Sequence, residues 1–517
     1  MIRPGLALCL ALWLPGLQAG AEVNAPALYR AHCARCHGQE RLGGMGPALL
    51  PENLHRLKPR QAREVILHGR PATQMPAFAD RLDARQVDAL VQYLYTPPPR
   101  PPRWGRREIE RSRRLLVPAS RLPDHPLHHA DPLNLFVVVE LGDHHITILD
   151  GDRFVPLARF PTHYAVHGGP KFSPDGRFVY VSSRDGWVEK YDLWSLQKVA
   201  EVRAGLNTRN LAVSDDGRYV LVGNYLPHTL VLLDAGDLHP LRILEVRGRD
   251  GTTSRVSAVY TAPPRHSFIV ALKDIPEVWE IDYADEPLPV YNGPMHDYRM
   301  QEGLARVDGR FPVRRIQLAQ PLDDFFFDPG YRLLIGAARR AGKVHVIQLD
   351  VGQKIADLPI DGMPHLGSGI TWLWHGRRVL ATPNLRKPEI TVIDMKTWKV
   401  VKRIPTQGPG FFLRSHENTP YAWADVFFGP HRDLVHIIDK RKLEIVKTLR
   451  PVPGKTSAHV EFDRDGTHAL LSIWDRDGAV IVYDARTLKE VKRLPMVKPS
   501  GKYNVYNKIT RSEGTSH

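Results

Sequence analysis

Phe172-Ser173-Pro174-Asp175-Gly176-Arg177-Phe178-Val179-Tyr180-Val181, followed after a short gap by Val188-Glu189-Lys190-Tyr191-Asp192-Leu193, decides the architecture of this chain. A Pro-Asp-Gly turn opens a β-branched and aromatic run, and a second run ends on aspartate at the next turn. The unit recurs with variation. Val213-Ser214-Asp215-Asp216-Gly217-Arg218-Tyr219-Val220-Leu221-Val222 leads into Thr229 to Asp234, and Phe327-Asp328-Pro329-Gly330 into Val344 to Asp350. Arg378 to Thr382 pairs with Ile390 to Asp394, Tyr421 to Ala424 with Val435 to Asp439, and Phe462-Asp463-Arg464-Asp465-Gly466 with Val480 to Asp484. Phe136 to Val139 with Ile146 to Asp150, and Phe268 to Leu272 with Val278 to Asp282, bring the count to eight. Four-stranded units repeated in this way predict an eight-bladed β-propeller over residues 133–517. A sandwich would not need so many equivalent repeats. Propellers gather ligands at one end of the central channel, so polar residues at blade starts are the candidates to inspect.

Upstream the texture is helical. Cys33-Ala34-Arg35-Cys36-His37 is the C-x-x-C-H pattern for covalent attachment of a c-type haem, with His37 on the iron. A redox pair would want a βαβ surround, and a zinc site would want a second ligand pair. Neither is present, because the third cysteine is Cys9 in the leader. Pro26 to Cys33, Arg60 to His68 and Asp83 to Leu94 have helical spacing, and Gly43 to Leu49 is a Gly/Pro loop placed to lie against the porphyrin. A thioether paired with histidine raises the iron potential. Met75, in Gln74-Met75-Pro76-Ala77-Phe78, resembles the M-P-x-F element of cytochromes c and is the expected sixth ligand, with Met45 as its competitor. These features describe a small all-α cytochrome c domain over residues 22–96. Thr96-Pro97-Pro98-Pro99 and the basic tract Arg103 to Arg114 suggest a solvated linker over 97–132.

At 517 residues the chain exceeds what one core usually serves. Met1-Ile2-Arg3-Pro4, a short apolar run and Ala19-Gly20-Ala21 read as a secretory signal peptide, 1–21, and no later stretch is apolar enough to span a bilayer. Haem c attachment in an exported chain points to the periplasm. Lys and Arg number 71 against 56 Asp and Glu, a net charge of +15. An exported haem protein has little access to nucleic acid, so an anionic tetrapyrrole or an acidic electron-transfer protein is the more apt partner.

A cytochrome c domain joined to an eight-bladed propeller resembles the cytochrome cd1 nitrite reductase family. The most specific segments are Tyr164-Ala165-Val166-His167, Pro364-His365-Leu366-Gly367-Ser368-Gly369 and Lys502-Tyr503-Asn504-Val505-Tyr506-Asn507. The resemblance implies that the propeller holds haem d1, an anionic dioxo-isobacteriochlorin, with His167 as proximal iron ligand; a packing histidine is the alternative. It also implies that His365 matches one of two histidines that give protons to nitrite. The other falls at Gln320-Pro321-Leu322-Asp323-Asp324, where Asp323 replaces it. A carboxylate repels nitrite and accepts rather than donates a proton. A second departure is His459, where the reductases carry glutamine.

The chain therefore looks more like the paralogous NirN-type biosynthetic cytochromes. That resemblance implies an oxidoreductase whose tetrapyrrole is substrate: dihydro-haem d1 loses two hydrogens from a propionate, which becomes an acrylate in haem d1, and electrons leave through haem c. His459 or His365 would be the base. Arg184 and Arg209 match arginine-bearing loops that would fix carboxylates, with Arg255 and Arg414 as weaker nominees. A nitrite reductase with an altered pocket and a non-catalytic haem d1 carrier remain the alternatives. A transient contact with nitrite reductase and a periplasmic electron acceptor are the expected protein partners.

Overall fold

The computed structural model describes residues 23–55, 57–69, 75–287, 289–291, 306–307, 309–338 and 342–510. The expected leader lies outside them. From residue 135 onward, eight antiparallel sheets of four main strands follow one another around a channel, and each of the eight sequence units is one blade. The Phe172 unit supplies Lys171–Phe172, Phe178–Ser182 and Trp187–Asp192, and Gln197–Arg203 completes its blade. Its middle strands are buried because neighbouring blades cover both faces: Val179, Val181 and Val188 are fully buried, and Glu189 and Lys190 of the third strand are buried with them. The recurring aspartate has a local task. Asp234, Asp394 and Asp439 each accept a backbone N–H two residues on, at 2.7–2.8 Å, and so close the turn to the outer strand.

The ring closes by joining the two ends of the propeller segment. Pro499–Asn504 is the innermost strand of the blade whose other strands are Leu135–Glu140, His145–Asp150 and Val155–Pro161. Asn134, almost fully buried, clasps the seam. Its Oδ1 accepts from Arg464 N at 2.9 Å and from Asn504 Nδ2 at 3.0 Å, while its Nδ2 donates to Asp152 at 2.8 Å. Asn134→Ala strands those two donors, so it should lower the stability of the holoprotein by about 2 kcal/mol. Urea unfolding would register this as a lower midpoint with an unchanged slope.

The cytochrome region comprises Ala25–His32, Ala34–His37, Pro51–Leu54, Pro59–His68 and Ala84–Tyr95. Asp83 caps the last of these by accepting from Gln86 N at 2.8 Å, and Val87, Leu90, Val91 and Leu94 face the small core as their spacing predicts. Among the described residues no helix is long and apolar enough to cross a membrane.

The tract Arg103 to Arg114 is not a solvated spacer. Arg106–Ser112 is a helix with Ile109 fully buried, and Arg114–Leu115 adds a fifth strand to the Phe172 blade. Charge dominated the sequence pattern here. The arginines nevertheless find fixed partners, Arg106 on the Pro240 carbonyl at 2.7 Å and Arg113 on Asp237 at 2.5 Å, while Trp104 and Ile109 supply apolar contacts.

Candidate active site

In the cytochrome region Cys33 ends the first helix and Cys36 lies one turn on, both half-buried and not bonded to each other. His37 is buried. Its Nδ1 meets the Pro47 carbonyl at 2.8 Å, which leaves Nε2 as the nitrogen for a metal, and burial lowers its basicity so that the ring stays neutral. Gly46 is there because a Cβ would come within 2.7 Å of that ring. Met75 is half-buried against the cytochrome core, whereas Met45 is 65% exposed. Two thiols, one oriented neutral imidazole and a packed thioether are a donor set that fits haem c.

The second cluster lies at the end of the channel where the innermost strands begin. His167 sits in the turn before Lys171–Phe172. Gly168, at φ +87°, lets that turn close on the next blade, since a Cβ there would reach 2.6 Å from that of Asn210. His167 Nδ1 meets the Arg209 carbonyl at 2.8 Å, and its Nε2 faces Arg184 Nη2 at 2.7 Å. Arg184 comes from the hairpin between the second and third strands of the same blade. Arg209 lies in the innermost strand of the next, Asn207–Val213, with Nε on the Ser257 carbonyl at 2.7 Å. The structure thus brings together three residues that are up to 42 positions apart in sequence.

His365 precedes Ile370–Trp374. Its Nδ1 meets the Phe411 carbonyl at 2.7 Å and its Nε2 lies 3.8 Å from Asp324. Asp323, expected beside His365, instead accepts from Lys273 Nζ at 2.6 Å. Asp324 places a carboxylate 3.8 Å from the imidazole.

His459 belongs to the innermost strand Ser457–Phe462, at a β-bulge where its φ is +54°. A left-handed histidine inside a strand is strained and re-aims its side chain. It is almost fully buried, its carbonyl accepts from Lys502 Nζ, and its Nδ1 has no partner among the described residues. Burial first, and then the charges of Lys502, Arg414 and Lys508, hold its basicity well below the ordinary histidine value. The ring is therefore neutral.

Aromatic rings connect these groups. Phe412 is 4.7 Å from His459 and 6.3 Å from His365, and Tyr503 is 5.3 Å from His459 and borders the His167 turn at Gly169. Phe411, Phe427 and Trp474 extend the wall. Buried polar atoms without partners among the described residues mark the same end of the channel: Asn207 Oδ1, Ser257 Oγ, Arg414 Nε, Ser457 Oγ and Trp474 Nε1. Such atoms inside a protein call for an occupant. A flat, apolar macrocycle with carboxylates meets that requirement, since the aromatic wall suits its faces and the arginines its rim.

Residues 130–299 and 305–508 match the family described as "Cytochrome D1 heme domain", and 21–94 match "Cytochrome C oxidase, cbb3-type, subunit III". A protein of Pseudomonas aeruginosa named "Dihydro-heme d1 dehydrogenase" is 60% identical over 99% of this chain and 99% of its own length. The chain belongs to this dehydrogenase family. The solved structure "Dihydro-heme d1 dehydrogenase NirN in complex with DHE" superposes with a TM-score of 0.87 at 60% identity, covering 94% of this chain and 99% of that one. A Stutzerimonas stutzeri protein named "Nitrite reductase" is a more distant relative, 25% identical over 95% of this chain and 94% of its own length. An eight-bladed propeller, a cytochrome c domain and binding of haem c and a d1-type tetrapyrrole are therefore established for this dehydrogenase.

Sequence reading missed the Phe411–Phe412 wall and Asp425 behind it. An aromatic pair directly before a blade start, in Pro409-Gly410-Phe411-Phe412, was the available signal.

Proposed function

We propose that this chain is a periplasmic oxidoreductase that converts dihydro-haem d1 into haem d1, the step that completes the cofactor. One propionate, –CH2–CH2–COO⁻, becomes an acrylate, –CH=CH–COO⁻. Two C–H bonds break, one C=C bond forms, and two electrons and two protons leave. The observation that supports this reading best is the neutral, buried His459 at the mouth that also carries His167, Arg184 and Arg209.

Each residue has a distinct task. His167, its Nδ1 held by the Arg209 carbonyl, presents Nε2 to the iron of the macrocycle once Arg184 is drawn from it to a substrate carboxylate. Arg209 flanks the same rim. His459, neutral at working pH, accepts a proton from the propionate carbon. His365, with its Nδ1 on the Phe411 carbonyl and its Nε2 3.8 Å from the Asp324 carboxylate, is a second imidazole placed to orient that side chain. Cys33, Cys36, His37 and Met75 would hold haem c, which would supply one-electron acceptor chemistry. An external periplasmic acceptor would then be needed for the two electrons, and a transient contact with nitrite reductase would hand over the product.

Anoxic incubation of the holoprotein with dihydro-haem d1, followed by absorption spectroscopy and mass spectrometry, tests the proposal. Loss of two hydrogens from the tetrapyrrole together with reduction of haem c is the expected result. An unchanged tetrapyrrole that binds without reducing the cytochrome leaves a carrier. Rapid turnover of nitrite would restore the reductase.

A further inference from the structure

The cytochrome region rests on the end of the propeller that carries the tetrapyrrole site, at the connection between the Phe172 blade and the next. Asn53 Nδ2 donates to the Leu206 carbonyl at 3.0 Å. The stronger tie is Arg203, the last residue of the blade's outer strand and 5% exposed. Its Nη2 donates to the Leu42 carbonyl at 2.5 Å and its Nε to the Asp185 carbonyl at 2.8 Å. Its guanidinium lies 4.7 Å from the Trp104 ring, and the Trp104 indole N–H donates to the Arg203 carbonyl at 2.8 Å. One side chain thus fastens the cytochrome, the connecting tract and the propeller to each other.

What it fastens is specific to the two centres. Leu42 precedes Gly43, whose N–H donates to the His37 carbonyl at 2.8 Å, and a Cβ on Gly43 would lie 2.9 Å from Arg203 Nη2. Asp185 follows Arg184, which contacts His167. The fork of a guanidinium reaches two carbonyls at once while stacking on an indole, and an ammonium lacks that planar geometry. Burial lowers the arginine's basicity, opposed by the nearby Asp185 carboxylate, and its hydrogen bonds go to carbonyl dipoles on both sides.

We infer that Arg203 is a positioning residue for electron exit: it fixes the distance and orientation of the haem c loop relative to the tetrapyrrole mouth. This rests on the proposed oxidation with haem c as acceptor. The Arg203 side chain bonds to the Leu42 and Asp185 carbonyls rather than to His37, Met75 or His167, so its loss should separate electron transfer from binding. Electron transfer falls steeply with the separation of the two centres, so a loosened haem c loop slows it without altering how the tetrapyrrole binds.

The test uses haem c-loaded Arg203→Gln and Arg203→Lys proteins, mixed anoxically with dihydro-haem d1 in a stopped-flow instrument. Both should reduce haem c at least about tenfold more slowly than the parent protein, with unchanged tetrapyrrole affinity and unchanged haem c potential. Hydrogen exchange should rise at Gly43 and at the amides of 184–186. Asn53→Ala, which removes only the peripheral tie, should shift the same rate in the same direction by less, and it serves if the Arg203 variants do not accumulate. A parent-like rate in the Arg203 variants overturns the inference, as does a fall in tetrapyrrole affinity that accounts for the slower rate. Failure of the parent protein to reduce its haem c would instead overturn the underlying oxidation.

Discussion

Replacing His459 by glutamine slows the oxidation of dihydro-haem d1 by about 10²–10⁴-fold, the usual worth of a positioned base, and leaves tetrapyrrole binding intact. Glutamine is neutral and polar like the buried imidazole, and at φ +54° it meets the same backbone strain as the residue it replaces, so the fold gains no new penalty. It loses the proton-accepting nitrogen. The pH profile adds a second signature. Burial and three neighbouring cations hold His459 below its ordinary range, so it gains a proton only in acid. Activity that needs a neutral base is present above that point and lost below it. The acid limb of kcat/KM in the parent protein should therefore lie well under the ordinary histidine value and vanish in the variant. Single-turnover spectra across a pH series measure both. Equal losses of rate and affinity would make His459 an anchor for the macrocycle.

The same geometry explains why the mouth suits oxidation better than nitrite reduction. Nitrite needs proton donors above the iron. Here the second reductase histidine is replaced by Asp323, whose charge is taken up by Lys273 at 2.6 Å, so it neither donates to a small anion nor repels it strongly. The residue added in exchange, His459, is a proton acceptor. One substitution removes a donor and the other introduces a base.

Much of this was legible in the chain, for identifiable reasons. Blade repeats are local: the Pro-Asp-Gly turns, the apolar middle strands and the turn-closing aspartates all act within about fifteen residues of one another, so the unit at Phe172 announces itself. C-x-x-C-H is equally local. Three features were not. Pro499–Asn504 has glycine and lysine where a strand would carry apolar residues, and its strand character comes from pairing with Leu135–Glu140 at the far end of the chain. The connecting tract Arg103 to Arg114 is ordered by propeller groups distant in sequence, carbonyls and Asp237 for its arginines and an apolar cluster for Trp104 and Ile109. Arg203 and Asp425 are single charged residues inside blade strands, and nothing in their sequence surroundings distinguishes them from solvated charge. Long-range partners, absent from any window of sequence, decide all three.

Asp425 supplies the second large effect. It is nearly fully buried, and its Oδ1 accepts from Phe411 N at 2.7 Å and from Phe412 N at 3.1 Å. It thereby holds the turn whose Phe411 carbonyl orients His365 and whose Phe412 ring packs on His459. Burial, opposed by these hydrogen bonds and by Arg414, pushes its carboxyl up to about 7. A folded-state value above the unfolded one means that the native protein holds the proton more tightly. The stabilisation is full below the unfolded value near 4 and is lost as pH rises through about 7. Three units correspond to a loss of about 4 kcal/mol between pH 4 and pH 8. Asp425→Asn keeps a carbonyl oxygen for the two amides and cannot ionise, but its NH2 faces the unpartnered side where Oδ2 now lies, a cost of about 1–3 kcal/mol. The two stability curves should therefore cross. In acid the variant is the weaker protein, and at pH 8 it is the stronger by about 1–3 kcal/mol, the difference between relieved ionisation and the buried amide. Urea midpoints of both holoproteins at about pH 4 and pH 8 decide it: parallel shifts would mean that Asp425 is ionised throughout, its charge carried by the Phe411 and Phe412 amides and by Arg414.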